Sequence, residues 1–204
     1  SWGIQYFMSQ IETIWFNDSL GLSFAGIMSL VTGGAISSLL FALTATLLTG
    51  NWKGSTHQEP VPNFLNTKRV ALLSFVVWPL VYFVAGYFIA WQFSADKLQY
   101  SGTSEMGSLV DIMSGNFTSG LYLFQTLRGL LWILIAIPVL ISIAGSFLKK
   151  GIILGLLLAV LGSSQLLLPN PYMPEVVRMA HLLETGSSNF IWGILFAWIL
   201  KSNL

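Results

Sequence analysis

Residues 120–168 read GLYLFQTLRGLLWILIAIPVLISIAGSFLKKGIILGLLLAVLGSSQLLL. Two mostly apolar runs stand here, 120–148 and 151–168, with Lys149 and Lys150 between them. A helix needs about 20 mostly apolar residues to cross a bilayer, so the pair reads as two spanning helices joined by a tight hairpin. Working outward, residues 20–48, 70–94 and 175–200 qualify by the same measure. Composition agrees. Of 204 residues, 54% are apolar and 8% charged, the latter about a third of what a soluble domain carries. The mean hydropathy is +0.74. The expected fold is an all-α integral membrane protein, a single transmembrane domain over residues 1–204 built as a five-helix bundle.

Lys and Arg in short loops set orientation. With five spans, Lys53, Lys68, Arg69, Lys149, Lys150 and Lys201 share one side, against Lys97, Arg128 and Arg178 on the other. The C-terminus is therefore expected in the cytoplasm and the N-terminus outside, with Glu12, Asp18, Asp96, Glu105 and Asp111 on the outer side. Small size, short loops and the absence of sorting signals suggest a bacterial inner membrane. No basic n-region with a small-residue cleavage site opens the chain, so insertion is expected to rest on the spans themselves.

Before the first span, Ile4, Phe7, Met8, Ile11 and Trp15 recur at helical spacing between Gln5, Ser9, Gln10, Glu12 and Thr13. This predicts an amphipathic helix lying in the interface plane. The outer loop, 95–119, carries Met106, Leu109, Val110 and Met113 at i, i+3, i+4, i+7 spacing. A short helix capped by Thr103 or Ser104 and ended by Ser114-Gly115-Asn116 is expected there, placed as a lid. The inner connector 51–69, with Gly54, Pro60 and Pro62, reads as irregular.

Close packing in lipid uses small residues. Ser29, Gly33 and Ser37 form one such face and Gly151, Gly155 and Gly162 another. The first places its helix near the bundle centre or at a homodimer contact, and both are candidate surfaces for oligomer or partner-subunit contacts. Pro79 and Pro138 fall inside spans and should kink them.

The ionisable residues of the fifth span need a reason to be there. Arg178, His181 and Glu184 follow at three-residue intervals and share a broad face with Ser188 and Asn189. Arg128 reaches a similar depth in the outer leaflet, and Glu184 with Arg128 is the preferred inter-helix pair. Ionisable groups inside a membrane are costly and usually face the bundle interior in pairs. Two arginines near a partly buried acid suit an anionic or zwitterionic headgroup. The candidate ligand-binding residues are thus Arg128, Arg178, His181, Glu184, Ser188 and Asn189. The strings MPEVVRMAHLLE (173–184) and SSNFIWG (187–193) resemble stretches of multi-pass bacterial membrane proteins, a likeness that transfers no role to any residue.

Exclusions narrow the function further. No cysteine means no thiol chemistry, disulfide or Cys-ligated metal, and two histidines, His57 and His181, make no multi-histidine site. A net charge of +1 without a basic cluster leaves no footprint for nucleic acid. No catalytic set, metal site or cofactor is expected. The leading expectation is a non-enzymatic membrane protein with an outward-facing pocket for a lipid headgroup or small polar ligand. An accessory subunit of a larger membrane complex comes next, followed by an intramembrane lipid-modifying enzyme using His181 and Glu184, and a small oligomeric transporter coupled through Glu184.

Overall fold

The computed structural model describes residues 2–50 and 66–201. The irregular connector expected around Lys53, Gly54, Pro60 and Pro62, together with His57, lies outside the described residues. Those described form helices and turns without a strand; one isolated bridge pairs Asn170 with Met173. Helix α1 comprises Trp2–Met8, wound in wide π-type turns, and Ser9–Trp15. It leads through a turn at Asn17–Leu20 into α2, Phe24–Thr49. Helix α3 runs through Thr67–Ala71, Leu72–Val77 and Trp78–Phe88. Two short helices follow, α4 at Ser94–Ser101 and α5 at Leu109–Thr118. The long helices α6, Leu121–Ser142, α7, Phe147–Ser163, and α8, Glu175–Leu200, complete the bundle.

Among the described residues four helices are long and apolar enough to cross a membrane: Phe24–Thr49, Thr67–Gln92, Leu121–Ser142 and Phe147–Leu167. The hairpin between α6 and α7 turns at residues 143–146, earlier than Lys149-Lys150. Gly145, at φ +120°, takes a conformation closed to ordinary side chains. Ser146 then caps α7 by accepting from the Lys149 amide at 3.4 Å.

Helix α1 packs on α2, α6 and α7 through Ile4 and Met8, 4% and 0% exposed, while Trp2 and Trp15 stay 37% exposed. The Trp2 indole donates to the Val31 carbonyl of α2 at 3.0 Å, and Gly3 faces Ile135 of α6. Several polar side chains of α1 find partners, while Gln10 Oε1 is buried without a hydrogen bond. Ser9 donates to the Gln5 carbonyl, Thr13 to the Gln10 carbonyl at 2.6 Å, and Glu12 meets Arg128. Tyr6 lies so close to Gly34 of α2 that a Cβ there would fall 2.2 Å from its ring.

Helix α2 is peripheral, packed mainly on α1, so the central position expected for it is corrected. Ile36, Leu39, Leu40, Phe41, Leu47 and Leu48 all point outward. Ser29, Gly33 and Ser37 are exposed, and a Cβ on Gly33 would meet nothing within 4 Å.

The proline in α3 is accommodated rather than simply kinking the helix. Pro79 has no N–H to offer the carbonyl of Phe75 four residues back. The π-type stretch Leu72–Val77 precedes it, and the Phe75 carbonyl accepts instead from the Tyr122 hydroxyl of α6. Gly129 brings α6 against the α3 backbone at Ser74, where a Cβ would sit 2.9 Å from Cα. Trp78, Trp132 and Trp192 meet at the centre, with Trp78 5.5 Å from each of the other two rings.

Among the glycines of the described residues, the closest backbone-to-backbone approach joins α7 and α8. A Cβ on Gly193 would lie 2.4 Å from the Gly155 Cα, one on Gly155 2.6 Å from the Phe190 carbonyl oxygen, and one on Gly151 3.2 Å from Ala197. Gly162 is likewise covered by the Asn189 amide. The glycines of α7 are thus used within the chain, against α8. Replacing Gly155 or Gly193 with Leu should lower stability by about 1–3 kcal/mol through overpacking, read as a reduced unfolding temperature in detergent, whereas Gly33→Leu should leave it nearly unchanged.

Candidate functional site

The entry to α8 is set by its prolines and by Asn170, whose side-chain oxygen accepts from the amides of Tyr172 and Met173, each at 3.0 Å. Arg178, one turn in, donates to the Leu166 carbonyl at 3.1 Å and so ties α8 to the end of α7. It stands apart from the other ionisable groups. His181 and Glu184 come together as expected: His181 Nδ1 is 3.4 Å from Glu184 Oε2, which also accepts from Thr185 at 3.2 Å.

A third group joins them from α4. Asp96 Oδ2 lies 3.8 Å from His181 Nε2, so the imidazole stands between two carboxylates. The Tyr100 ring meets His181 edge-on at 5.4 Å. Thus α4, rather than the predicted lid helix, covers this end of the site. Helix α5 is capped by Ser108, which accepts from the Asp111 amide at 3.2 Å, not by Thr103 or Ser104. It continues past Ser114-Gly115-Asn116 to Thr118 and packs at the start of α6, with Phe117 stacked on Tyr122 at 4.4 Å.

Arg128 does not reach for Glu184. Its Nη2 is 2.9 Å from Glu12 Oε2 and 3.2 Å from the Met8 carbonyl, while Nη1 donates to Gln125 Oε1 at 3.0 Å. The guanidinium also lies 5.7 Å from the Trp78 ring centre and 5.9 Å from that of Tyr82. With 4% of its surface exposed it is enclosed rather than snorkelling. The inward packing of α1 explains the change of partner, because it brings a carboxylate to the guanidinium. Tyr82 lies in the field of Glu12, Arg128 and Glu184 together, which joins the two ends of the cluster.

Ser188 and Asn189 go elsewhere. Ser188 donates to the Thr185 carbonyl at 3.3 Å and lines an apolar groove of about 160 Å³ with Val81, Phe88 and Ile191. Asn189 faces α7, its amide making a long 3.5 Å contact with the Leu158 carbonyl. A second groove, of about 260 Å³, lies between α1 and α2 at Gln5, Tyr6, Ser37 and Phe41.

Asp96 is 2% exposed, yet neither of its carboxylate oxygens accepts a hydrogen bond. Burial pushes its carboxyl up to about 6, His181 opposing and Glu184 adding to the rise. At the other end Gln125 Nε2 and Arg128 Nε are buried and also unpaired. Among the described residues no group of three or more His, Asp or Glu is arranged to hold a metal ion. Sequence reasoning missed Glu12, Asp96 and Gln125. Gln125 was the most accessible of these, since it stands three residues before Arg128 on the same helix face. No protein-family model matches this chain, nor does any curated protein or solved structure.

Two predictions follow from these contacts. A double-mutant cycle on Glu12→Gln and Arg128→Gln should give a coupling of about 1–3 kcal/mol by thermal or denaturant unfolding. Because the folded carboxyl of Asp96 holds its proton more tightly than the unfolded one, its contribution to stability should fall as pH rises from about 4 to about 6. Unfolding temperatures across that window should lose this slope in Asp96→Asn.

Proposed function

We propose that this chain is a five-span membrane protein whose outward-facing polar cluster binds a lipid headgroup or small polar ligand. Glu175–Leu200 serves as the fifth span in this reading. Its 26 residues reach about 39 Å at 1.5 Å each, and it packs along α7. The C-terminus lies in the cytoplasm, and the start of α8, α4 and the α1–α2 turn face outward. The loop charges support that orientation, and the short-looped, compact chain supports a bacterial inner membrane. The ligand residues are Arg128, His181 and Glu184, now joined by Glu12, Asp96 and Gln125; Arg178, Ser188 and Asn189 act as structural neighbours.

One observation carries the reading. Buried ionisable groups in this cluster keep unsatisfied hydrogen-bonding atoms at both ends, at Asp96 and at Gln125 and Arg128. A structural ion-pair network normally saturates such atoms, and buried unpaired polar groups are uncommon in packed interiors. An accessory-subunit role is the second reading, favoured by the exposed Ser29, Gly33 and Ser37 face of α2.

Native mass spectrometry of the protein released from its membrane in mild detergent separates the two. A defined small-molecule adduct on a lone chain or homodimer, lost in Glu184→Gln and Arg128→Gln, is the expected result. Adducts indifferent to both substitutions would sink the ligand site. Stoichiometric foreign subunits would instead carry the accessory reading.

A further inference from the structure

The charges of the cluster are unequal. Glu12 pairs with the one guanidinium, Arg128, while Asp96 and Glu184 flank His181. Three carboxylates against one permanent cation leave an excess of negative charge whether or not His181 is protonated. At one end both oxygens of Asp96 are buried acceptors without a hydrogen bond, beside an equally unpaired His181 Nε2; at the other Gln125 Nε2 and Arg128 Nε are buried donors without one. Asp96 and Arg128 are 2% and 4% exposed, so neither is served by bulk water. The Glu12 side chain, at 29%, is the most accessible of the residues in the two carboxylate–cation contacts, and Glu184, at 10%, is far less so.

We infer that this site, taken as the ligand site proposed above, accepts a zwitterion that carries a primary ammonium and a phosphate or carboxylate. The ammonium meets Asp96, whose two oxygens accept no hydrogen bond, and the anionic group takes Arg128 and Gln125 in exchange for Glu12. A primary ammonium brings three N–H donors to carboxylate oxygens that lack them, whereas a trimethylammonium brings none. A ligand bearing only an anion gains Arg128 but meets the surplus of carboxylates. A ligand bearing only a cation leaves the donors at Gln125 and Arg128 unused. Glu12 acts as a built-in counter-ion for Arg128, held on α1 until a stronger acceptor replaces it.

An ethanolamine phospholipid and free glycerophosphoethanolamine present the same chemistry, and the test distinguishes them. The intact protein, stripped of lipid in detergent, is offered phosphatidylethanolamine, phosphatidylcholine, phosphatidylglycerol or glycerophosphoethanolamine. Bound mass is read by native mass spectrometry and unfolding temperature is read alongside. The expected result is one ethanolamine phospholipid per chain, retained about tenfold or more over the choline and glycerol lipids. Asp96→Asn and Arg128→Gln should each remove that preference, while Glu105→Gln, an exposed carboxylate of the same outer loop, should not. Equal binding of glycerophosphoethanolamine would identify a soluble zwitterion as sufficient; retention of the lipid alone would identify the membrane as its source.

Should Asp96→Asn fail to fold in the absence of lipid, Asp96→Glu is read in its place and should keep the preference. Retention of phosphatidylglycerol as strongly as the ethanolamine lipid, lost in Arg128→Gln, would overturn the zwitterion and leave the site standing. If no ligand responds to Asp96→Asn, Arg128→Gln or Glu184→Gln, the site itself falls.

Discussion

The approach of Gly193 to Gly155 fixes how α8 is turned in the bundle. With no side chain on either residue, the two backbones meet directly, and the rotation of α8 has no freedom left at that level. At 100° per residue, Glu184 lies about 180° around the helix from Gly193. It must therefore face away from α7, toward α3 and α4, where Tyr82 and Asp96 await it. Asn189 lies about 40° from Gly193 by the same rule, which is why it settles over Gly162 rather than joining the charged groups. A contact made by glycines thus decides which polar residues of α8 meet which partners.

Burial of the charges on the opposite face is handled unevenly. Arg128 has exchanged its water shell for a carboxylate, a carbonyl, an amide oxygen and two aromatic faces. Its Nη atoms are thus well supplied, while Nε has no hydrogen-bond partner. Asp96 has a histidine at 3.8 Å and no hydrogen bond, so its charge is opposed only weakly. Desolvation without compensation is expensive, and among the carboxylates of the cluster it falls on Asp96 in the covering helix α4. A bundle selected for stability alone has no reason to keep that asymmetry.

Much of this was legible in the sequence, and the limits have physical causes. The bounds of α8 follow from Pro174 and the apolar run, and the glycine periodicity of α7 announced a close neighbour. His181 and Glu184 were readable as a local pair because helical spacing dictates it. The position of α1 was not readable. A stripe of Ile4, Phe7, Met8 and Ile11 has the same period whether it faces lipid or a bundle, and only the contact of Tyr6 with Gly34 distinguishes them. Glu12 and Asp96 flank apolar runs and so read as solvated. Their real partners lie far along the chain, Arg128 being 120 residues from Met8, and no local pattern encodes such a pairing. Pro79 read as a kink because the Tyr122 hydroxyl that answers it comes from another helix.

Helix α1 links the two surfaces on which the functional readings rest. Tyr6 holds it against Gly34 of α2, the helix with the exposed small-residue face, and Trp2 adds the bond to Val31. From the same helix, Glu12 and the Met8 carbonyl hold Arg128. The polar site and the exposed small-residue face of α2 are therefore joined by one helical element rather than by a loop.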